Sequence, residues 1–159
     1  MKYLFAVCLF IVSHSLFSQT GTIIIVRHAE KLQDGKDPDL SEIGKERALK
    51  LSEILSETKI DALFSTKFKR TTQTLAVIAK KKHLETNYYS PSDSVFILDY
   101  LKKNIGATIV ISGHSNTVPG IVNYLCNSKL PDLKESEYDN LFIIHLSEGK
   151  PATYLKLKY

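Results

Sequence analysis

His28 and His114 each stand just past an apolar, β-branched run. Ile23-Ile24-Ile25-Val26 leads into Arg27-His28-Ala29-Glu30, and Thr108-Ile109-Val110-Ile111 leads into Ser112-Gly113-His114-Ser115-Asn116. An arginine beside the first histidine changes the chemistry available there. A buried guanidinium needs an anionic partner, because an unpaired buried charge is costly. Its planar fork fits the oxygens of a phosphate or a carboxylate. A second arginine, Arg70, stands at the start of a helical pattern that follows Asp61-Ala62-Leu63-Phe64. A helix start is a poor place for a cation and a good place for an anion. Arg70 therefore reads either as a second anion ligand or as an exposed surface residue. Together, Arg27, His28, Arg70 and His114 outline a cleft for a phosphorylated substrate.

For these side chains to meet, the elements must carry them to one place. Apolar runs of this kind read as buried strands of a parallel sheet. In open α/β sheets, ligands sit at the carboxyl ends of the strands. The pattern predicts strands over 23–26, 60–64, 107–111 and 141–146, a short edge strand at Tyr88-Tyr89, and an antiparallel edge strand over 152–157. Helices are expected over 41–57, with Leu49, Leu51, Ile54 and Leu55 inward; over 70–82; over 92–103, with Val95, Leu98 and Leu101 inward; and over 118–125. Asp34-Gly35 and Asp37-Pro38 mark a turn-rich loop between the first strand and the first helix. The alternation of strands and helices implies a three-layer α/β/α domain around a mostly parallel sheet.

The segments resemble the histidine phosphatase superfamily, also called the phosphoglycerate mutase-like family. Its pattern is an Arg-His pair after the first strand, a Ser-x-x-x-x-Arg-x-x-x-Thr helix entry, and a Gly-His pair after a later strand. Arg27-His28, Ser65 to Thr74 around Arg70, and Gly113-His114 match it in order and strand context. The compact length resembles the small phosphatases more than the larger mutases. The resemblance implies that His28 is a nucleophile that transiently carries the phosphoryl group. It implies that Arg27, Arg70 and His114 bind the phosphoryl oxygens, and that no metal or other cofactor takes part. The leaving oxygen needs a proton, and the resemblance leaves its donor open. Glu30 and Asp93 are the two acids considered for it; Glu30 reads equally as an ion-pair partner of Lys31 or Arg27. Asn116 is placed at the rim of the substrate site. Ser65, Thr71 and Thr117 read as helix caps, His83 as a surface residue, and His145 as packed within a strand.

The bulk numbers fit a single soluble domain: 159 residues, 43% hydrophobic and 24% charged, with a net charge of +4. Residues 1–19 are a separate object. Lys2 precedes an apolar run, and Leu16-Phe17-Ser18-Gln19 supplies a small residue for cleavage, as in a secretory signal peptide. The expected division is a signal peptide over 1–19 and a phosphatase domain over 20–159. The expected address is periplasmic or secreted, with no stable membrane anchor after cleavage. Removing residues 1–19 lowers the charge to +3, since Lys2 is the only charged residue there. No basic stripe interleaved with aromatic residues suggests nucleic-acid binding. Cys126 is then the only cysteine, which leaves no intramolecular disulfide, and it reads as a small buried residue.

Three other readings remain at this level. The pocket could hold a phosphorylated ligand without turnover. His28, His114 and Glu30 could form a zinc-type ligand set, against which two adjacent arginines count. Mutase activity would require a lid, and no long insertion supplies one.

Overall fold

The computed structural model describes residues 20–159; the expected signal peptide lies outside the described residues. One six-stranded sheet organises them, in the order β3-β2-β4-β1-β5-β6. Its strands are β1 (Gly21–Arg27), β2 (Ala62–Ser65), β3 (Thr86–Tyr88), β4 (Thr108–Gly113), β5 (Asn140–Leu146) and β6 (Thr153–Lys158). The first four are mutually parallel, while β5 runs antiparallel to β1, and β6 antiparallel to β5. The helices are α1 (Glu42–Ile54), α2 (Lys69–Lys82), α3 (Phe96–Lys103) and α4 (Thr117–Cys126).

Alternation along β1 produces the three layers. Successive strand side chains point to opposite faces. Ile23 and Ile25 pack with Ile97 and Leu101 of α3 and Val118, Ile121 and Val122 of α4. Ile24 and Val26 pack with Leu51 of α1 and Leu75 and Ile78 of α2. A slip of one residue would turn each set toward the wrong layer, so the register of β1 is firmly specified. Fully burying one such side chain contributes about 1.5–3 kcal/mol.

Several expectations about individual faces and ends are corrected. In α1 the inward residues are Gly44, Ala48, Leu51 and Ser52, followed by Leu55, while Leu49 and Ile54 are exposed. The rotation has a cause. Gly44 lies so close to the Glu30 carbonyl that a Cβ there would come within 2.0 Å of its oxygen. Helix α3 starts at Phe96 rather than at residue 92, and Val95 is exposed; Asp93 accepts from the backbone N–H groups of Val95 and Phe96 instead. His145 points outward from β5, with its ring 3.5 Å from the Thr22 hydroxyl, and Cys126 is half-buried.

Candidate active site

Adjacent strands bring the two histidines together. In the β1–β4 ladder Arg27 stands opposite Gly113, so the next residue on each strand is a histidine. The His28 amide donates to the Gly113 carbonyl at 2.9 Å, which fastens the two strand ends to each other. Parallel strands lie about 4.8 Å apart, and the two imidazole centroids are 5.6 Å apart. A side chain at position 113 would crowd this junction: a Cβ would stand 2.9 Å from the Thr117 hydroxyl and 3.0 Å from that of Tyr89.

The hydrogen bonds of His28 determine its tautomer. Its Nδ1 is 2.8 Å from the Ala29 carbonyl oxygen, which can only accept. The proton therefore sits on Nδ1, and Nε2 keeps a free lone pair. The ring is only 4% exposed. Burial lowers its pKa to about 3, aided by the charges of Arg27 and Arg70 and by His114, and opposed by the bond to Ala29. His28 is thus neutral over the physiological range.

His114 is oriented from the other side. Its Nε2 is 2.9 Å from the Thr66 hydroxyl, which is itself 2.9 Å from the Thr71 hydroxyl. Thr71 can in turn donate to the Thr66 or Phe68 carbonyl. The Nδ1 of His114 is 3.5 Å from an Arg70 terminal nitrogen, a group that only donates. One consistent chain follows: Nε2–H donates to Thr66, and Nδ1 accepts. Burial, then Arg70 and Arg27, lower the His114 pKa to about 4.

The two guanidiniums are buried to different degrees. Arg27 is 2% exposed. One terminal nitrogen donates to the carbonyls of Lys134 at 2.7 Å, Glu135 at 3.2 Å and Glu137 at 3.4 Å; the other donates to the Glu135 carboxylate at 3.0 Å. The Tyr138 ring covers it, 4.2 Å from Cζ to the centroid, and lies 5.9 Å from the His28 ring. Arg70, in the first turn of α2, stacks on Phe68 at 4.4 Å and stands 3.6 Å from the Asp37 carboxylate. Among the described residues, the buried Nε of each arginine has no partner. Two unpartnered guanidinium N–H groups beside two neutral imidazoles make a receptor for an anion. Next to it, Asp37, Lys67, Phe68, Lys69, Thr72, Gln73 and Tyr88 line an open cavity of about 490 Å³.

The acids considered from sequence are engaged elsewhere. Both Glu30 oxygens accept from Arg47, at 2.6 to 3.0 Å, so its partner is Arg47 rather than Lys31 or Arg27. Burial pulls the Glu30 carboxyl up, but the Arg47 bonds outweigh it and hold it below the usual range. That makes it a poor proton donor. The same pairing removes Glu30 from the alternative zinc-type set. Asp93 is exposed and turned back onto the start of α3. Asn116 is exposed just ahead of α4 and makes no capping bond through its side chain. Ser65 and Thr71 do not cap α2. Asp37 does so from the distant β1–α1 loop, accepting from Lys69 N–H at 3.0 Å. The Thr117 hydroxyl accepts from the His114 amide at 2.9 Å.

A family model for the histidine phosphatase superfamily (branch 1) matches residues 23–90, the span that holds Arg27, His28 and Arg70. Over that span the chain is similar to the histidine phosphatase superfamily. Its second histidine lies beyond the matched span and is joined to the first by the sheet. Phosphoserine phosphatase 1 from Hydrogenobacter thermophilus is 43% identical over 70 residues, an alignment covering 40% of this chain and 33% of that protein. The chain thus aligns with only about a third of the length of this curated relative. Solved structures share the architecture. The protein histidine phosphatase SixA complexed with tungstate superposes with a TM-score of 0.72 at 18% identity, covering 86% of this chain and 96% of SixA. Phosphoglycerate mutase from Bacillus anthracis gives 0.71 at 14% identity, covering 89% and 94%. These likenesses establish the mostly parallel phosphoglycerate mutase-like fold.

Sequence reasoning missed Thr66, Glu135, Tyr138 and Asp37. Thr66 was accessible, since it directly follows β2 and borders His114. Glu135 and Tyr138 reach Arg27 across more than a hundred residues of chain, and no local pattern marks them.

Proposed function

We propose that this chain hydrolyses phosphomonoesters or related phosphoryl compounds through a covalent phosphohistidine at His28. The carrying observation is the His28 ring: neutral, with its proton held by Ala29, its Nε2 unprotonated, and two incompletely paired guanidiniums beside it. In the first step Nε2 attacks phosphorus and the bond to the leaving oxygen breaks. Arg27 and Arg70 donate to the phosphoryl oxygens and offset charge in the loose transition state, and His114 joins them when its Nδ1 takes a proton beside the bound anion. In the second step water attacks phosphorus, the P–N bond breaks, and phosphate leaves. The protein's own side chains supply the positive charge, so the proposed route needs no metal. The substrate is a small phosphorylated compound, a reading supported by the open cavity beside Arg70.

We further propose that the protein is exported, to the periplasm or beyond the cell. The layout of residues 1–19 supports this address. It would favour an extracytoplasmic phosphoester over cytoplasmic signalling proteins.

The decisive test uses p-nitrophenyl phosphate. The wild type is expected to turn it over in EDTA and to yield an acid-labile phosphoenzyme. His28→Ala should retain its circular dichroism and lose at least about a thousandfold in kcat. Undiminished turnover in that variant would overturn the mechanism. Phosphate binding without turnover by the wild type on a broad panel would leave a binding module instead.

A further inference from the structure

The leaving oxygen still lacks a proton donor, and two carboxylates touch the anion-site arginines: Glu135 at Arg27 and Asp37 at Arg70. We propose that Glu135 is the general acid that protonates the leaving group; this rests on the phosphohistidine reading. Glu135 donates nothing to the core, being 82% exposed, yet its Oε2 lies 3.0 Å from a terminal nitrogen of the buried Arg27. It therefore links the buried Arg27 guanidinium, next to His28 in sequence, to solvent.

Its backbone is held in place, which an exposed glutamate on a loose loop would not be. Leu133 is buried, and its amide donates to the Ser115 carbonyl at 2.9 Å, one residue past His114. The turn that follows is closed twice: Glu137 N–H donates to the Lys134 carbonyl at 2.9 Å, and Lys134 N–H donates to the Glu137 carboxylate at 2.8 Å. Arg27 then clamps three carbonyls of this turn, and Tyr138 packs over Arg27 beside His28. The segment that carries Glu135 is thus anchored to both histidine-bearing strand ends.

Asp37, the carboxylate at the other arginine, is less suited to the role. Its Oδ1 is committed to Lys69 N–H at the start of α2. Arg27 meets only one oxygen of Glu135, whereas Arg47 holds both oxygens of Glu30, so Glu135 keeps a second oxygen open to carry a proton. In the first step the Glu135 proton passes to the ester oxygen as its bond to phosphorus breaks and the Nε2–phosphorus bond forms. In the second, the carboxylate takes a proton from the attacking water, which restores the acid and releases phosphate.

The experiment compares Glu135→Gln with the wild type on p-nitrophenyl phosphate, whose leaving group needs no proton, and on an alkyl phosphate, whose leaving group does. General-acid loss is expected to cost about a hundredfold in kcat/KM on the alkyl ester and less than about threefold on the nitrophenyl ester. Glu135→Asp should restore part of the difference. Glutamine keeps an oxygen for Arg27, so a purely positioning role would move both substrates together. Equal losses, or none, would overturn the inference. If the wild type forms no phosphoenzyme and turns over neither ester, the parent reading fails and this one with it; an active wild type with an unchanged leaving-group slope overturns only Glu135.

Discussion

Two guanidinium sites flank the segment Arg27-His28-Ala29-Glu30, and they are satisfied differently. Arg47 grips both oxygens of Glu30 and donates its remaining terminal nitrogen to the Tyr159 carbonyl. Arg27 and Arg70, in contrast, each keep a buried Nε without an acceptor among the described residues, although both also touch a carboxylate. Unmet hydrogen-bonding capacity in a buried cation costs stability. A saturated fork is a fastening; an unsaturated one, next to a neutral imidazole, is a receptor. Only His28 and Ala29 stand between Arg27 and Glu30, the partner of Arg47.

Substituting the arginines should expose this difference most strongly. Arg70→Ala is expected to lower kcat/KM by about a hundred- to a thousandfold, with little change in the denaturation midpoint. Arg47→Ala should do the reverse: a loss of about 1–2 kcal/mol in urea unfolding, with kcat/KM within a few-fold of wild type. If both variants fall equally in activity, the distinction between fastening and receptor is wrong.

Titration sharpens the comparison next. The native pKa values of His28 and His114, about 3 and about 4, lie below the unfolded value of 6.5. Between those limits the unfolded chain binds more protons, so stability rises with pH. This contribution is fully present above about pH 6.5 and is lost as pH falls toward 4 and then 3. Imidazole NMR shifts of both residues should stay flat from pH 8 to about pH 5. A midpoint near 6.5 for either would contradict the buried, cation-flanked setting.

The smallest expected effect concerns Asp37, which lies against Arg70 where an anion would add charge. Asp37→Asn keeps an N-capping side chain and removes the repulsion. Inorganic phosphate should then bind about two- to threefold tighter by calorimetry. Weaker binding would mean that Asp37 instead holds Arg70 in its receptive pose.

Legibility in sequence followed distance along the chain. The apolar runs before His28 and His114 mark β1 and β4, and strand ends are where such sheets place ligands. Edge strand β6 was legible from its alternation. The face of α1 was not, because it turns on Gly44 meeting a carbonyl rather than on any periodicity. Glu30 illustrates the same limit: an acid beside an Arg-His pair invites a catalytic reading, while its partner Arg47 lies on a helix that only the fold brings near. The Lys134–Tyr138 turn carries no signature at all, and only its landing on Arg27 shows its use.

Strand β1 is paired along both edges, to β4 and β5, and His28 is tied by its amide to Gly113. A ring mounted there cannot travel with its cargo. Ester and water must therefore come and go past a stationary imidazole, and whatever choreography the cycle needs falls to the loop side of the sheet.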